Sequence, residues 1–264
     1  MFAIPSFFGF NKAGFGPTYD ADAQAFFDRV TTAGGTLSTT EKDATNQLVL
    51  DLKANSLWTP MKAIYPMVGA SAAACAQNLK SASFTGSFST GWTFASTGVT
   101  PNGTSAYFDT TLNLNIMNSI NDISYGYYCR TNSLSIGSFG WGFGGATSPI
   151  NEFYIRYTDG NKYGYLFDGG NDGGAVSDCR GLNAMSRIAT TTKYIQLNSS
   201  ISTFSSSSSG SLTSKNFVFG KGTQANAEDR ENAFGFVADG LTTTNLSNLY
   251  TAVQAFQDTL NREV

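Results

Sequence analysis

The sequence predicts a mainly β protein, a sandwich of two antiparallel sheets with helices at both ends. Between residues 57 and 240, short runs of aromatic and β-branched residues alternate with Gly, Asn, Asp and Ser, which is typical of a β-sandwich. The flanking segments 20–56 and 241–264 instead carry apolar residues at helical spacing. With 264 residues, 21 Phe and 12 Tyr, the chain can bury one large core, so we predict a single domain.

The segment 20–56 is predicted to form a helical hairpin. Asp20 can cap the first helix and Gly34 can end it, while Ser38 and Glu41 have the spacing of a capping box at the start of the second. The apolar face of the first helix follows the i, i+3, i+4, i+7 pattern and comprises Ala23, Phe26, Phe27 and Val30. Such a small pair needs a sheet face to cover.

The segment 241–264 is predicted to form a C-terminal helix that packs on the sandwich. Thr242 can cap it, and Leu241 can pack on Leu246 as a hydrophobic staple. The inner face then comprises Leu246, Leu249, Tyr250, Val253, Phe256 and Leu260.

Strands are predicted wherever aromatic and β-branched runs lie between turn residues. The predicted strands are 62–68, 84–88, 92–95, 105–109, 122–130, 134–143, 151–157, 162–167, 185–190, 194–197, 216–219 and 233–238. Pro101-Asn102-Gly103 and Asp159-Gly160-Asn161 predict hairpin turns, and the serine-rich stretch after Phe204 predicts a surface loop.

Composition excludes several functions. Charged residues are 13% of the chain and the net charge is −3, so there is no basic field for nucleic acid and we expect no nucleic-acid partner. The chain has no His, which removes the commonest general base and metal ligand. Cys75, Cys129 and Cys179 follow no metal-binding spacing, and we expect them to be reduced and buried rather than paired in a disulfide.

Residues 1–19 are predicted to anchor the protein in an assembly. They lack the basic start of a signal peptide, and no apolar run is long enough for membrane insertion. Large apolar residues among Gly and Pro must nevertheless be covered, either by a neighbouring protein or by the chain's own domain. The predicted assembly contacts are Phe2, Phe7, Phe8, Phe10 and Phe15.

Three stretches resemble the concanavalin A-like, laminin-G-like jelly-roll modules of bacteriophage virion and tail proteins. They are LWTPMKAIYPMVG (57–69), GWTFASTGVTPNGTSAYFDT (91–110) and GFVADGLTTTNLSNLYTAVQAFQDTL (235–260). With the helical hairpin, the resemblance covers about 20–264, although 130–220 matches poorly. It implies a jelly roll with a terminal helix near one edge and a place on a virus particle. It implies no catalytic residues.

Glycan hydrolysis is the first enzymatic activity to consider, because glucanases with a similar sandwich use two carboxylates. Their acids alternate along one strand, and this chain has no such pattern. An unusual hydrolase would need Glu152 with a partner such as Asp109 or Asp168. A serine nucleophile would lack a histidine base. We therefore predict that the protein is not an enzyme.

The loop from Asp168 to Asp172 is the one candidate for a cofactor. Clustered Asp and Asn oxygens on a glycine-rich loop can bind Ca²⁺, and laminin-G-like relatives sometimes bind this ion near their sugar site. The closing Glu of an EF-hand is absent, and a plain turn uses the same residues. No cofactor is our main expectation, with Ca²⁺ as the alternative.

The central segment carries the residues that a sugar site would need. Aromatic rings can contact the apolar face of a sugar, and nearby carboxylates and amides can bind its hydroxyls. The predicted carbohydrate-binding residues are Trp141, Tyr154, Tyr165, Asp168 and Asn171. Alternatively, the aromatic residues of this segment form the sandwich core, and strand alternation supports this for about half of them. These residues are Trp141, Tyr154, Tyr157, Tyr163, Tyr165 and Phe167.

The sequence thus predicts a structural protein on the exterior of a phage particle, in a head or tail appendage. It would act by assembly with other virion proteins, and a homo-oligomer such as a trimer is expected. The alternative is a lectin-like module that binds a host surface glycan. The predicted segments are an anchor (1–19), the helical hairpin (20–56), the jelly roll (57–240) and the terminal helix (241–264).

Overall fold

A computed structural model describes residues 18–135, 142–143, 151–169, 172–220 and 228–264, with the backbone alone at 142–143. The residues predicted as assembly contacts lie outside these ranges. Within them, the protein is a mainly β sandwich with antiparallel sheets and a few helices. None of the described helices is both long and apolar enough to cross a membrane.

Three helices of several turns begin at the residues that the sequence predicts. They are α1 (Ala21–Thr32), α2 (Thr39–Ala54) and α4 (Thr243–Thr259), and a short helix α3 (Ala72–Cys75) lies between α2 and α4. Asp20 caps α1 by accepting a hydrogen bond from the Asp22 amide, and capping boxes open α2 at Ser38 and α4 at Thr242. Each cap satisfies amide groups that a helix start leaves without partners.

The strands are short and all pair antiparallel. In chain order they are β1 (Met61–Tyr65), β2 (Ser87–Phe88), β3 (Trp92–Ala95), β4 (Gly98–Pro101), β5 (Phe108–Asn113), β6 (Ile123–Cys129), β7 (Gly142–Phe143), β8 (Asn151–Tyr154), β9 (Asn161–Leu166), β10 (Asp172–Ala175), β11 (Gly181–Ala189), β12 (Thr192–Leu197), β13 (Ser200–Phe204), β14 (Asn216–Phe219) and β15 (Asn232–Ala238).

The strands form one large sheet and two smaller ones in the described part of the chain. The large sheet has the order β13-β12-β11-β6-β15-β4-β3, and β1 pairs with β15 beside β4. The smaller sheets have the orders β10-β9-β8 and β2-β5-β14-β7. The second layer of the sandwich is therefore divided, whereas the sequence predicted one continuous sheet there.

Two apolar cores lie on opposite faces of the large sheet. On one face α1, α2 and α4 pack on side chains such as Phe236 and Leu182. On the other face the smaller sheets pack on side chains such as Tyr125 and Met185. Burial of each large apolar side chain contributes about 1.5–3 kcal/mol. The helices thus supply a third layer and cover a face that a simple sandwich would expose.

Strand β6 shows the effect of the helical layer. In the sequence, Ile123, Tyr125, Tyr127 and Cys129 alternate with Asp122, Ser124, Gly126 and Tyr128, which is typical of a strand with one buried face. The first four do face the smaller sheets, but all seven residues of the strand are buried. Tyr128, on the other face, packs in the helical core and its hydroxyl donates to Gln254 at 3.2 Å.

Three strands were not predicted from the sequence: β4, β10 and β13. Strand β10 is rich in Gly, and β13 has Ser or Thr at three of its five positions, so neither has a clear apolar pattern of a strand. Both lie at sheet edges and pair on one side only. Backbone hydrogen bonds hold them, and such bonds leave no signature in the side chains.

The three cysteines are free thiols and all are buried, as the sequence predicted. Cys129 and Cys179 lie in the core between the large sheet and the smaller sheets. The hydrogen bond between these thiols is the main reason why the pKa of Cys179 is lowered to about 7.

Candidate functional site

The outer face of the β8-β9-β10 sheet carries a cluster of four half-buried tyrosines. They are Tyr154, Tyr157, Tyr163 and Tyr165. The rings contact edge to face in sequence: Tyr165 to Tyr154 at 6.2 Å between centroids, Tyr154 to Tyr157 at 5.5 Å, and Tyr157 to Tyr163 at 5.9 Å. Edge-to-face pairs are favourable because the positive ring edge meets a negative ring face. We call this set the tyrosine cluster.

Strand alternation places the cluster on one face. In β9, Tyr163 and Tyr165 are half-buried, whereas Lys162, Gly164 and Leu166 between them are buried. The register pairs Tyr163 with Tyr154 and Tyr165 with Glu152 on β8, and directly paired residues lie on the same face of a sheet. A tight turn that ends at Gly160 then brings Tyr157 beside Tyr163.

Polar groups lie at one end of the cluster. The Tyr163 hydroxyl donates to the Asp159 carboxylate, and the Asn161 amide donates to the Tyr163 oxygen at 3.3 Å. The hydrogen bond from Tyr163 is the main reason why the pKa of Asp159 is lowered, and the same bond raises the pKa of Tyr163. Rings, a carboxylate and an amide therefore meet at an exposed turn.

The other end of the cluster is more enclosed. Glu152 is 1% exposed, and its carboxylate accepts a hydrogen bond from the Tyr154 hydroxyl. Burial, followed by this hydrogen bond, raises the pKa of Tyr154. The accessible part of the tyrosine cluster is thus the end formed by Tyr157 and Tyr163.

Asp168 lies inside the sandwich and not on the sugar surface that the sequence predicted. Its side chain is 1% exposed and forms ion pairs with Arg187 of β11 and with Lys193 of β12, the latter at 2.7 Å. It also accepts from the Ser206 hydroxyl at 2.9 Å. A carboxylate held by two buried cations is a structural link between sheets, so we do not retain Asp168 as a sugar ligand.

The described part of the Asp168–Asp172 loop does not fit a Ca²⁺ site. The Lys193 ammonium lies 2.7 Å from Asp168 and 2.8 Å from Asp172, so a cation of the protein already occupies the position between the two carboxylates. No group of three or more potential acidic, Cys or His ligands occurs among the described residues. Ca²⁺ binds six to eight oxygens, and these two carboxylates are already engaged.

The remaining predicted sugar ligands divide into two groups. Tyr154 and Tyr165 lie together in the tyrosine cluster, whereas Trp141 and Asn171 lie outside the described residues. Tyr157 and Tyr163 were not among the predicted ligands. The turn Asp159-Gly160-Asn161 could have indicated them, because a hairpin turn places the tyrosines before and after it on neighbouring strands.

The three carboxylates that a glycan hydrolase would need lie in different parts of the structure. Asp109 on β5 accepts from the Asn216 amide at 3.0 Å in the four-stranded sheet, and Glu152 belongs to the three-stranded sheet. Asp168 is neutralised by its two cations. A glycosidase needs one carboxyl as acid and one as base or nucleophile across the same bond, and Asp168 is not available for either role.

Comparison with solved structures supports a β-sandwich. Domain 4 of the GH43 extracellular arabinanase of Geobacillus stearothermophilus, solved with arabinotriose, matches with a TM-score of 0.55 at 14% identity and covers 72% of this chain and 98% of its own. No protein-family model and no curated protein matches the sequence.

A second match is the Trypanosoma rangeli sialidase in complex with sialic acid. Its TM-score is 0.55 at 8% identity, and the match covers 81% of this chain. It spans only 39% of the sialidase chain, so the similarity concerns one part of that enzyme. Similarity at these identities concerns the fold alone.

Proposed function

We propose that this protein is a non-catalytic glycan-binding module of a bacteriophage particle, with a concanavalin A-like jelly-roll fold. An N-terminal helical hairpin and the C-terminal helix would support the large sheet from behind. The exposed end of the tyrosine cluster would bind the sugar. The position on the virion exterior and the assembly with other virion proteins belong to the same proposal.

The tyrosine cluster is the observation that supports glycan binding. Sugars bind to flat apolar surfaces bordered by a few polar groups, and Tyr157 and Tyr163 provide rings beside the Asp159 carboxylate and the Asn161 amide. The cluster sits on a sheet, and the rings hold one another in position, so little side-chain entropy is lost on binding. Binding of a sugar at this surface does not require a pair of catalytic carboxylates.

The structural neighbours support one part of this proposal, the binding of a glycan. One neighbour is a domain solved with arabinotriose, and the other is a sialidase solved with sialic acid. The likeness is to sandwiches that occur in glycan-active proteins, and it leaves the ligand of this chain open. The phage setting rests on the resemblance of residues 57–69, 91–110 and 235–260 to phage modules.

The first prediction concerns Tyr163. We expect Tyr163→Ala to weaken the binding of a glycan by about tenfold, because a lost ring contact and its hydrogen bonds amount to about 1.4 kcal/mol. Arabinotriose, sialic acid and a panel of bacterial surface polysaccharides would be titrated by calorimetry against the full chain.

Tyr107→Ala is the matched control, since Tyr107 is 41% exposed and immediately precedes β5, away from the cluster. It should leave the affinity unchanged, and both variants should retain the circular dichroism of the parent. If no glycan in the panel binds, or if both variants bind as the parent does, the tyrosine cluster is not a sugar site.

The second prediction concerns assembly. We expect a chain without residues 1–19 to be a folded monomer and the full chain to be a defined homo-oligomer, for instance a trimer, because covering the Phe side chains of this segment would drive association. Light scattering at matched concentrations measures both masses. A variant with Ser at Phe2, Phe7, Phe8, Phe10 and Phe15 is the length-matched control and should also be monomeric. A full chain that is monomeric at all concentrations would contradict the anchor.

A further inference from the structure

A small cleft opens between the edge strands of two sheets. It lies where β10 of the three-stranded sheet faces β12 and β13 of the large sheet, and its volume is about 170 Å³. Ile195, Leu197 and Phe204 give it an apolar wall, and Ser200 and Ser202 place hydroxyl-bearing side chains on its rim. We call this the Lys162 cleft, after the one charged residue that lines it.

Lys162 is a buried cation without a partner in the described part of the protein. Only 7% of its surface is exposed, and its ammonium group takes part in none of the ion pairs or side-chain hydrogen bonds between described residues. Lys193 shows the contrast: its ammonium is paired with Asp168 and Asp172 and donates to the Gly164 carbonyl at 2.7 Å. A buried charge without a partner is costly. An external anion would supply the missing partner.

The strand opposite Lys162 leaves room for such an anion. Gly174 of β10 is paired in register with Lys162, and a Cβ added at Gly174 would meet no atom within 4 Å. A larger side chain here would occupy this open space. The glycine therefore keeps the cleft accessible from solvent.

The charges around the cleft favour a single negative group. Asp168 and Asp172 are balanced by Arg187 and Lys193 in one buried network. Lys162 forms an ion pair with neither of these carboxylates and adds a positive charge beside the network. Burial lowers the pKa of Lys162 to about 8, and the Cys179 thiol is the one other group that acts on it electrostatically. The ammonium form still predominates at neutral pH and can bind an anion.

We propose that the Lys162 cleft binds the carboxylate of an acidic sugar, with the ammonium group of Lys162 as its ion-pair partner and Ser200 and Ser202 as hydroxyl contacts. This inference rests on the proposed function for the sugar part of the ligand. The apolar wall suits the face of a sugar ring. Because the volume is below the roughly 300–1,000 Å³ of a pocket for a drug-sized ligand, we expect the cleft to admit a single uronic acid residue of a chain.

The test compares a sugar acid with its neutral ester. Trigalacturonic acid and its methyl ester would be titrated by calorimetry at pH 6.5 into the full chain, the Lys162→Met variant and the Lys215→Met variant. Lys215 is an exposed lysine outside the cleft and serves as the control. We expect the acid to bind the parent at least tenfold more tightly than the ester, and Lys162→Met alone to abolish this difference.

A second variant keeps Lys162 intact. Ser202 is exposed on β13, and we expect Ser202→Trp to block the cleft and to weaken the binding of the acid at least tenfold. Affinity for the acid should also fall as the pH rises from 6.5 to 9.5, because the ammonium loses its proton. The Cys179 thiol becomes negative in the same range, since the hydrogen bond with Cys129 lowers its pKa to about 7. The pH titration is therefore repeated with the Cys179→Ala variant, in which the affinity for the acid should still fall as the pH rises.

The outcomes separate this inference from the proposed function. If acid and ester bind equally and Lys162→Met changes neither, the module binds glycans but the cleft does not hold a carboxylate. If no sugar binds while sodium acetate still raises the pKa of dimethylated Lys162 in an NMR titration, the site is a general anion site, and both the acidic-sugar proposal and the proposed function fail.

Discussion

Replacing Asp168 by Asn is expected to lower the free energy of unfolding by about 3–5 kcal/mol, because removing one partner leaves buried charges without compensation. The Arg187 and Lys193 side chains are both 0% exposed. Arg187 would retain only neutral acceptors, among them the carbonyls of Leu166 and Ser206, and Lys193 would keep Asp172. The loss follows from the position of Asp168 at the centre of the network that joins β9 to β11 and β12.

Urea unfolding at pH 7, followed by circular dichroism and tryptophan fluorescence, measures this change. Asp178→Asn is the matched control, because Asp178 forms an ion pair with Arg180 in which both side chains are more than 40% exposed. Such a surface pair contributes about 0–1 kcal/mol. If Asp168→Asn costs no more than this control, the network is not a structural link and Asp168 returns as a candidate ligand.

Replacing Arg262 by Met is expected to destabilise the protein by a similar amount, about 3–5 kcal/mol, because several buried acceptors would lose a charged donor. The guanidinium donates to the carbonyls of Met67 at 2.8 Å and Ala233 at 3.0 Å and to the Gln257 side chain at 2.9 Å. It also lies 5.2 Å from the centre of the Phe256 ring. These contacts join the end of α4 to β15 and to the chain after β1.

The same urea titration tests this second change, with Glu263→Gln as the control at the next, exposed position. The control should be within about 0.5 kcal/mol of the parent. Burial lowers the pKa of Arg262 to about 10, so the guanidinium stays charged at pH 7 and its hydrogen bonds remain charge-assisted. A variant as stable as the parent would mean that the C-terminal segment is not held by this residue.

A comparison of Asp168 with Lys162 shows how a residue that stabilises the fold differs from one that is available to bind a ligand. Asp168 and Lys162 lie close in sequence and both face the space between the sheets. Asp168 has two cations around it, whereas Lys162 has no described partner. The first is therefore expected to matter for folding, and the second for the binding of an external group.

The local features of the chain were readable from the sequence. Asp20, Ser38 and Thr242 cap their helices as predicted, because capping depends on side chains within three residues of the helix start. The alternation in β6 correctly divided its two faces for the same reason. The sequence also predicted the mainly β class, since aromatic and β-branched runs between turn residues are a local signal.

The edge strands β10 and β13 could not be predicted from the sequence. Strand β10 has two Gly among its four residues and β13 has Ser or Thr at three of its five positions, and their pairing depends on neighbours that present a free edge. The predicted surface loop after Phe204 also contributes to the interior, because the Ser206 carbonyl accepts from Arg187 at 2.9 Å. Polar residues lie in the core because groups on other strands form hydrogen bonds or ion pairs with them.

The sequence by itself determined the helix starts, the hairpin turn between β8 and β9, the periodicity of the strands and the absence of histidine chemistry, because each depends on residue type or on neighbours a few positions away. The hairpin predicted at Pro101-Asn102-Gly103 is not formed, because β4 and β5 lie in different sheets. The tertiary structure alone decided which charged groups are paired. Asp168 meets Arg187 and Lys193, which lie 19 and 25 residues further along the chain, whereas Lys162 meets no carboxylate among the described residues. Ion pairing depends on which strands lie opposite one another, and that is fixed only when the sheets pack.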